Sequence, residues 1–197
     1  MQKIKYTPEE EQVLMTQLWS PQIADNPESF VLFSFPWGQE GTPLAKFKGP
    51  RSWQRKVLRS IAEHIKANKG QITMEALRKA VASGRGIGKS ALVSWLILWM
   101  LSTRIGSTVI VSANSENQLR TVTWGELTKW TTMAINAHWW EISATKLVPA
   151  QWITELVERD LKKGTRYWAA EGKLWSEENP DAYAGAHNMD GMMVIFD

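Results

Sequence analysis

Apolar residues recur every fourth position between Ser52 and Asn68. Trp53, Val57, Ile61 and Ile65 mark the core side of a helix, and Arg55, Arg59 and Lys66 fall on its polar side. Lys69-Gly70 supplies the stop. An earlier helix is predicted over 8–19: Thr7 can cap it, Pro8 suits its first position, and Glu9, Glu10 and Glu11 complement its dipole. Asp25-Asn26-Pro27 breaks the chain, residues 30–38 are apolar and aromatic and end in a turn, and residues 41–50 read as a Gly- and Pro-containing loop. Beyond Gly70, short apolar runs alternate with longer ones. Residues 77–82, 107–112, 165–170 and 192–196 have the length and residue types of strands. Residues 91–101 read as a buried helix, Ser115 opens another that reaches about Ala137, and 151–161 form a third. Residues 139–148 are ambiguous and allow a short strand ending at Pro149, and 177–188 read as a loop or short helix. Strands alternating with helices predict an α/β sandwich of three layers, a mostly parallel sheet with helices on both faces and a helical extension at the N-terminus. Residues 1–70 form that extension and 71–197 the core of one structural domain. Ligands of such sheets bind at the carboxyl ends of the strands.

The composition, 44% hydrophobic and 22% charged, suits a globular chain. There is no cysteine, which excludes disulfides and thiolate metal sites, and three scattered histidines argue against zinc. The N-terminus has no apolar segment of signal-peptide type, and the longest apolar run is too short to span a bilayer, so a cytoplasmic protein with no membrane partner is expected. Most of the 12 tryptophans sit among apolar neighbours and read as core. The net charge of +3 is unevenly spread: residues 44–89 hold 12 Lys/Arg against 2 Asp/Glu, a net of +10, and the remainder holds 11 against 18, a net of −7. Such a basic stretch suits nucleotide or nucleic acid, and reads equally as a solvated helix face.

The chemistry concentrates in Ser83-Gly84-Arg85-Gly86-Ile87-Gly88-Lys89-Ser90, between an expected strand and an expected helix. Strand, glycine-rich turn, Lys-Ser and helix is the layout of a P-loop. Glycines let backbone N–H groups close around phosphate, and the helix N-terminus favours the anion. Lys89 can reach the β- and γ-phosphates of ATP and the Ser90 hydroxyl can ligate Mg²⁺. Ser83 stands where the pattern G-x-x-x-x-G-K-[ST] has its first glycine. The spacing does not fit the dinucleotide fingerprint G-x-G-x-x-G. With this loop, the predicted fold is that of a P-loop NTPase of the ASCE type. The run Met192 to Phe196 ends in Asp197, as a buried parallel strand delivering a carboxylate to the sheet's carboxyl edge would; in P-loop NTPases that carboxylate helps hold Mg²⁺. Gln54 lies near the start of the 52–68 helix. Its side chain could read an adenine edge in both directions, though by composition alone it is an ordinary exposed glutamine.

Taken together, Phe-Val-Leu-Phe-Ser-Phe-Pro-Trp-Gly at 30–38, Gly-Pro-Arg-Ser-Trp-Gln at 49–54, the 83–90 loop, and Ala-Gly-Ala-His at 184–187 ahead of Asp197 resemble the N-terminal ATPase domain of a tailed-phage terminase large subunit. The resemblance covers nearly the whole chain. It implies an ATPase that packages viral double-stranded DNA, as a ring on a portal and procapsid, with a small terminase subunit as partner. It places Arg85 as the family's P-loop arginine, which together with Lys89 would act catalytically, Gln54 as the adenine-side glutamine, and Asp197 as the Walker B aspartate. Arg159 and Arg166 become candidates for an arginine acting across subunits. The family's catalytic glutamate follows that aspartate, and the sequence stops at Asp197, so a truncated ATPase domain that binds ATP·Mg²⁺ and turns it over slowly or not at all is expected. Another P-loop ATPase of nucleic acid metabolism, helicase-like or repair, and a catalytically silent interaction module are the competing readings.

Overall fold

The computed structural model describes residues 6–71, 75–82, 84, 86–113, 115–174 and 188–197. Helix α1 (Pro8–Leu18) starts with a reciprocal cap: the Thr7 hydroxyl accepts from the Glu10 N–H, and the Glu10 carboxylate accepts from the Thr7 N–H. Leu14, Met15 and Leu18 are its buried residues. Glu11 reaches across to the far part of the chain, 2.7 Å from His138 Nε2 and accepting from Trp139 Nε1. After the single turn α2 (Pro21–Ala24), Asn26 caps α3 (Pro27–Ser34) by accepting from the N–H groups of Glu28 and Ser29. Asn-Pro therefore starts a helix as well as breaking one, and residues 30–34 are helical.

Helix α4 (Ser52–Asn68) has the expected bounds, but its stripe is rotated by one residue. Gln54, Leu58 and Ile61 are buried, with Trp53, Val57 and Ile65 beside them. Arg55 and Arg59 lie on the side expected to be polar and both turn onto Glu28 of α3, at 3.2 and 2.5 Å, which fastens the two helices together. Helix α5 (Lys89–Thr103) is apolar on all sides, and Leu92, Trp95, Ile97, Leu98 and Leu101 are each 5% exposed or less. A helix of that kind belongs inside the core. Among the described residues no helix is long and apolar enough to cross a membrane.

The strands are β1 (Thr108–Ala113), β2 (Trp140–Ile142), β3 (Lys146–Pro149), β4 (Ala169–Leu174) and β5 (Met192–Phe196). They form one sheet in the order β2-β3-β4-β1-β5. β4 and β5 run parallel to β1, while β2 with β3 and β3 with β4 are antiparallel. The fold expected from the sequence, a three-layer P-loop NTPase sandwich on a mostly parallel sheet, is thereby corrected on two counts. The sheet is mixed. Residues 77–82 form no strand, and Leu77 and Val81 are 37% and 39% exposed. The reason lies in Arg78 and Lys79: a central parallel strand is buried on both faces and cannot hold two cations in six residues. The sheet residues of the main core cluster share one face, Val109, Val111 and Ala113, with Leu147, Ala170, Met193 and Ile195 in register beside them, and on the other face of β1 Ile110 and Ser112 are buried too, at 2% and 1% exposed.

Strand β5 is parallel, as expected, but among the described residues it lies at the edge of the sheet. Its Val194 and Phe196 are 37% and 69% exposed, and its other face carries Met193 and Ile195 into the core. Asn188 holds its approach by donating to Gly106 O and Thr108 Oγ1, both at 2.7 Å. The strand expected over 165–170 begins only at Ala169, because a turn from Thr165 to Trp168 precedes it. Ser115 does cap, accepting from the Gln118 N–H, but the helix it opens is not uniform. A π-helical segment, Gln118–Thr123, feeds into α6 (Trp124–Met133). This wide turn presses on Gly172 of β4, where a Cβ would stand 3.0 Å from Leu119 and 3.2 Å from Trp124. Helix α7 (Gln151–Asp160) completes the described elements.

On the sheet face away from the core, Lys146 Nζ donates to Glu171 at 2.8 Å. This bond, with the positive charge behind it, holds the Glu171 carboxyl below its ordinary value near 4.5. A depressed carboxyl stabilises the fold above the ordinary value, and the contribution is lost as pH falls through the lowered one. Lys146→Met should therefore flatten the acid side of the stability profile: its urea midpoint lies below wild type at neutral pH and converges with it under acid conditions. A constant offset at all pH values would assign the effect to packing instead.

Candidate functional site

The turn at Gly106 sends the chain from α5 back along β1, and Ser107 Oγ donates to Met100 O where the two elements meet. The N-terminus of α5 therefore lies at the end where β1 and β5 finish. This is the carboxyl edge of the parallel strands, and it brings the glycine loop and Asp197 to the same side of the molecule.

Gly84, Gly86, Ile87, Gly88, Lys89 and Ser90 are described; Ser83 and Arg85 lie outside the described residues, as do Asn114 and the Ala184–His187 motif, which sits at 184–187. Gly88 is the N-cap of α5, in the left-handed region at φ 93°. A side chain there would strain the backbone, and its Cβ would fall 2.9 Å from Gln54 Nε2. Its N-cap residue, a glycine, has no side chain with which to cap the helix, in contrast to Thr7 of α1 and Asn26 of α3. The loop's carbonyls, on the other hand, are engaged. Gln54 Nε2 donates to Gly88 O at 2.9 Å, Arg51 Nη1 to Ile87 O at 3.2 Å, and Lys89 Nζ to Gly84 O at 3.0 Å. In a planar trans peptide the C=O of one residue and the N–H of the next point in opposite directions. Holding the carbonyls of Ile87 and Gly88 toward α4 thus turns the N–H groups of Gly88 and Lys89 away from it. N–H groups at the positive end of a helix, next to a lysine, are of the kind that hold an anion.

Asp197 closes β5. Its N–H donates to Ser112 O at 2.9 Å, and its carboxylate accepts from Thr123 Oγ1 at 2.6 Å. Thr123 is the last residue of the π-helical segment and is 1% exposed. Among the described residues no group of three His, Cys, Asp or Glu could hold a metal. Asp197 and Ser90 each carry oxygen donors, the kind Mg²⁺ takes beside phosphate.

Gln54 is not the exposed glutamine that composition alone suggests. It is 3% exposed, and each end of its amide is occupied, since Oε1 accepts from the Arg51 N–H at 2.8 Å. Arg159 is paired with Asp160 on exposed surface, and the Arg166 guanidinium lies over the Tyr167 ring at 5.5 Å. Arg51 and Thr123 are the site residues that sequence reasoning passed over. Arg51-x-x-Gln54 at a helix start is the spacing of a cap whose third residue reaches back, so the first half of Gln54's role was readable. Nothing local marks Thr123. Comparison of the chain with protein-family models, curated proteins and solved structures finds no match.

Proposed function

We propose that the chain binds the phosphates of ATP·Mg²⁺ at the glycine loop and the first turn of α5, as the ATPase part of a terminase-like DNA-packaging protein. The observation that carries this reading is the glycine loop at the start of α5, with its carbonyls held by Arg51, Gln54 and Lys89. It rests on the loop's chemistry and not on the overall fold. On binding, Lys89 exchanges Gly84 O for a phosphate oxygen, and the N–H groups of Gly88 and Lys89 take others. Asp197 and Ser90 would hold Mg²⁺, whose charge offsets that of the phosphates when it is bound. Thr123, donating to Asp197, fixes the carboxylate's direction. Lys46, Lys48, Lys56, Lys66, Arg78 and Lys79 are exposed, which supports a double-stranded DNA partner through phosphate contacts. ATP hydrolysis in a ring on the portal of a procapsid, with a small terminase subunit, in the host cytoplasm, is the setting this reading assigns; Arg85 joins Lys89 in catalysis there.

Titration calorimetry with ATP, with and without Mg²⁺, tests it. Wild type should bind in a Mg²⁺-dependent manner. Lys89→Ala should bind about 10- to 100-fold more weakly, the value of one charge-assisted hydrogen bond, at an unchanged urea midpoint. Absence of binding to the folded wild type would overturn the reading. Asp197→Ala should reduce the Mg²⁺-dependent part of the affinity and leave the Mg²⁺-independent part. Equal loss in both conditions would remove Asp197 from the metal site.

A further inference from the structure

We propose that Gln54 acts on the phosphate loop rather than on the nucleotide base, as a positioning residue that forms a brace with Arg51. This deepens the phosphate-binding reading and rests on it. Three observations converge. Gln54 is 3% exposed, so no base edge can reach its amide without opening the α4–loop contact. Its Nε2 donates to Gly88 O and its Oε1 accepts from the Arg51 N–H, and these partners fix which end of the amide faces which way. Arg51 in turn donates to Ile87 O, so two successive loop carbonyls are drawn to the first turn of one helix. Reading a base in both directions would break both of the glutamine's bonds, leave Gly88 O with the Leu92 N–H alone and free the loop from its tie to Gln54 of α4. The site's ligand class is then the polyphosphate group, with Gln54 contributing nothing to the choice of base.

The test is calorimetry of wild type, Gln54→Glu and Arg51→Ala with two probes, ATP and inorganic tripolyphosphate, each with Mg²⁺. Gln54→Glu keeps an acceptor for the Arg51 N–H but places a carboxylate oxygen against Gly88 O. It should weaken both probes by the same factor, about tenfold or more, because the loop itself is disturbed. Arg51→Ala removes an exposed side chain and should weaken both equally by about threefold. If Gln54→Glu does not fold, Arg51→Ala carries the test. Loss of ATP binding with tripolyphosphate unaffected would return Gln54 to the base and overturn the brace, as would unchanged affinity of both variants for both probes. Wild type binding neither probe would instead overturn the phosphate reading, and the brace with it.

Discussion

Gly88→Val should cost stability and phosphate affinity together. Gly88 is in the left-handed region at φ 93°, where a β-branched residue is a severe outlier, and the strain alone is about 1–3 kcal/mol. The new Cβ also falls 2.9 Å from Gln54 Nε2. Gln54 is buried and doubly bonded, so it can yield only by giving up Gly88 O. The variant should therefore unfold at lower urea than wild type and bind ATP at least tenfold more weakly. Gly86→Ala is the matched control. Gly86 is also left-handed, at φ 73°, but a Cβ there meets nothing within 4 Å among the described residues. It should show the strain without the displaced glutamine: a smaller fall in midpoint and a milder loss of affinity. Identical behaviour of the two variants would mean that the contact with Gln54 has no energetic part in the loop.

Trp168→Ala should have the largest effect on folding, about 3–5 kcal/mol, a large fraction of the total stability of a domain. The side chain is 1% exposed, its Nε1 donates to Leu101 O at 2.9 Å, and its ring meets Trp140 edge-on at 5.6 Å. Its removal opens a cavity between α5 and the sheet and leaves Leu101 O without that donor. Trp168→Phe refills much of the volume and loses only the hydrogen bond, so its cost should be near that of a buried unsatisfied carbonyl, about 1–3 kcal/mol. Urea unfolding followed by circular dichroism gives both values. A cost below about 1 kcal/mol for the alanine variant would show that the site collapses to fill itself.

Local signals were legible and distant ones were not. Helices α1, α4 and α5 followed from caps and apolar spacing, which are written within a few residues. The strand run Thr108–Ala113 was readable because it is continuously β-branched or small. The failure at 77–82 came from weighting the glycine loop above the two cations in the run itself. Sidedness of the sheet could not be read, because β1 is apolar at Ile110 as well as at Val109 and Val111, and only the packing of neighbours shows which face holds the core. In the site, the Lys-Ser and glycine spacing gave the loop. Gln54 finds Gly88 34 residues away, and Thr123 finds Asp197 74 residues away, distances over which a single sequence carries no pairing information.

Phe35, Trp37, Trp95 and Trp130 form a knot of rings with centroid separations from 4.9 to 6.5 Å. Trp95 belongs to α5, six residues after Lys89, and Trp130 to α6, while Phe35 and Trp37 follow α3. Indole transitions held this close and at fixed angles couple, so the knot is a built-in optical reporter. Its circular dichroism couplet depends on α3, α5 and α6 being docked, whereas the peptide signal depends only on their being helical. Heating the protein and comparing the two signals would show whether the seat of the glycine loop loosens before the helices themselves melt.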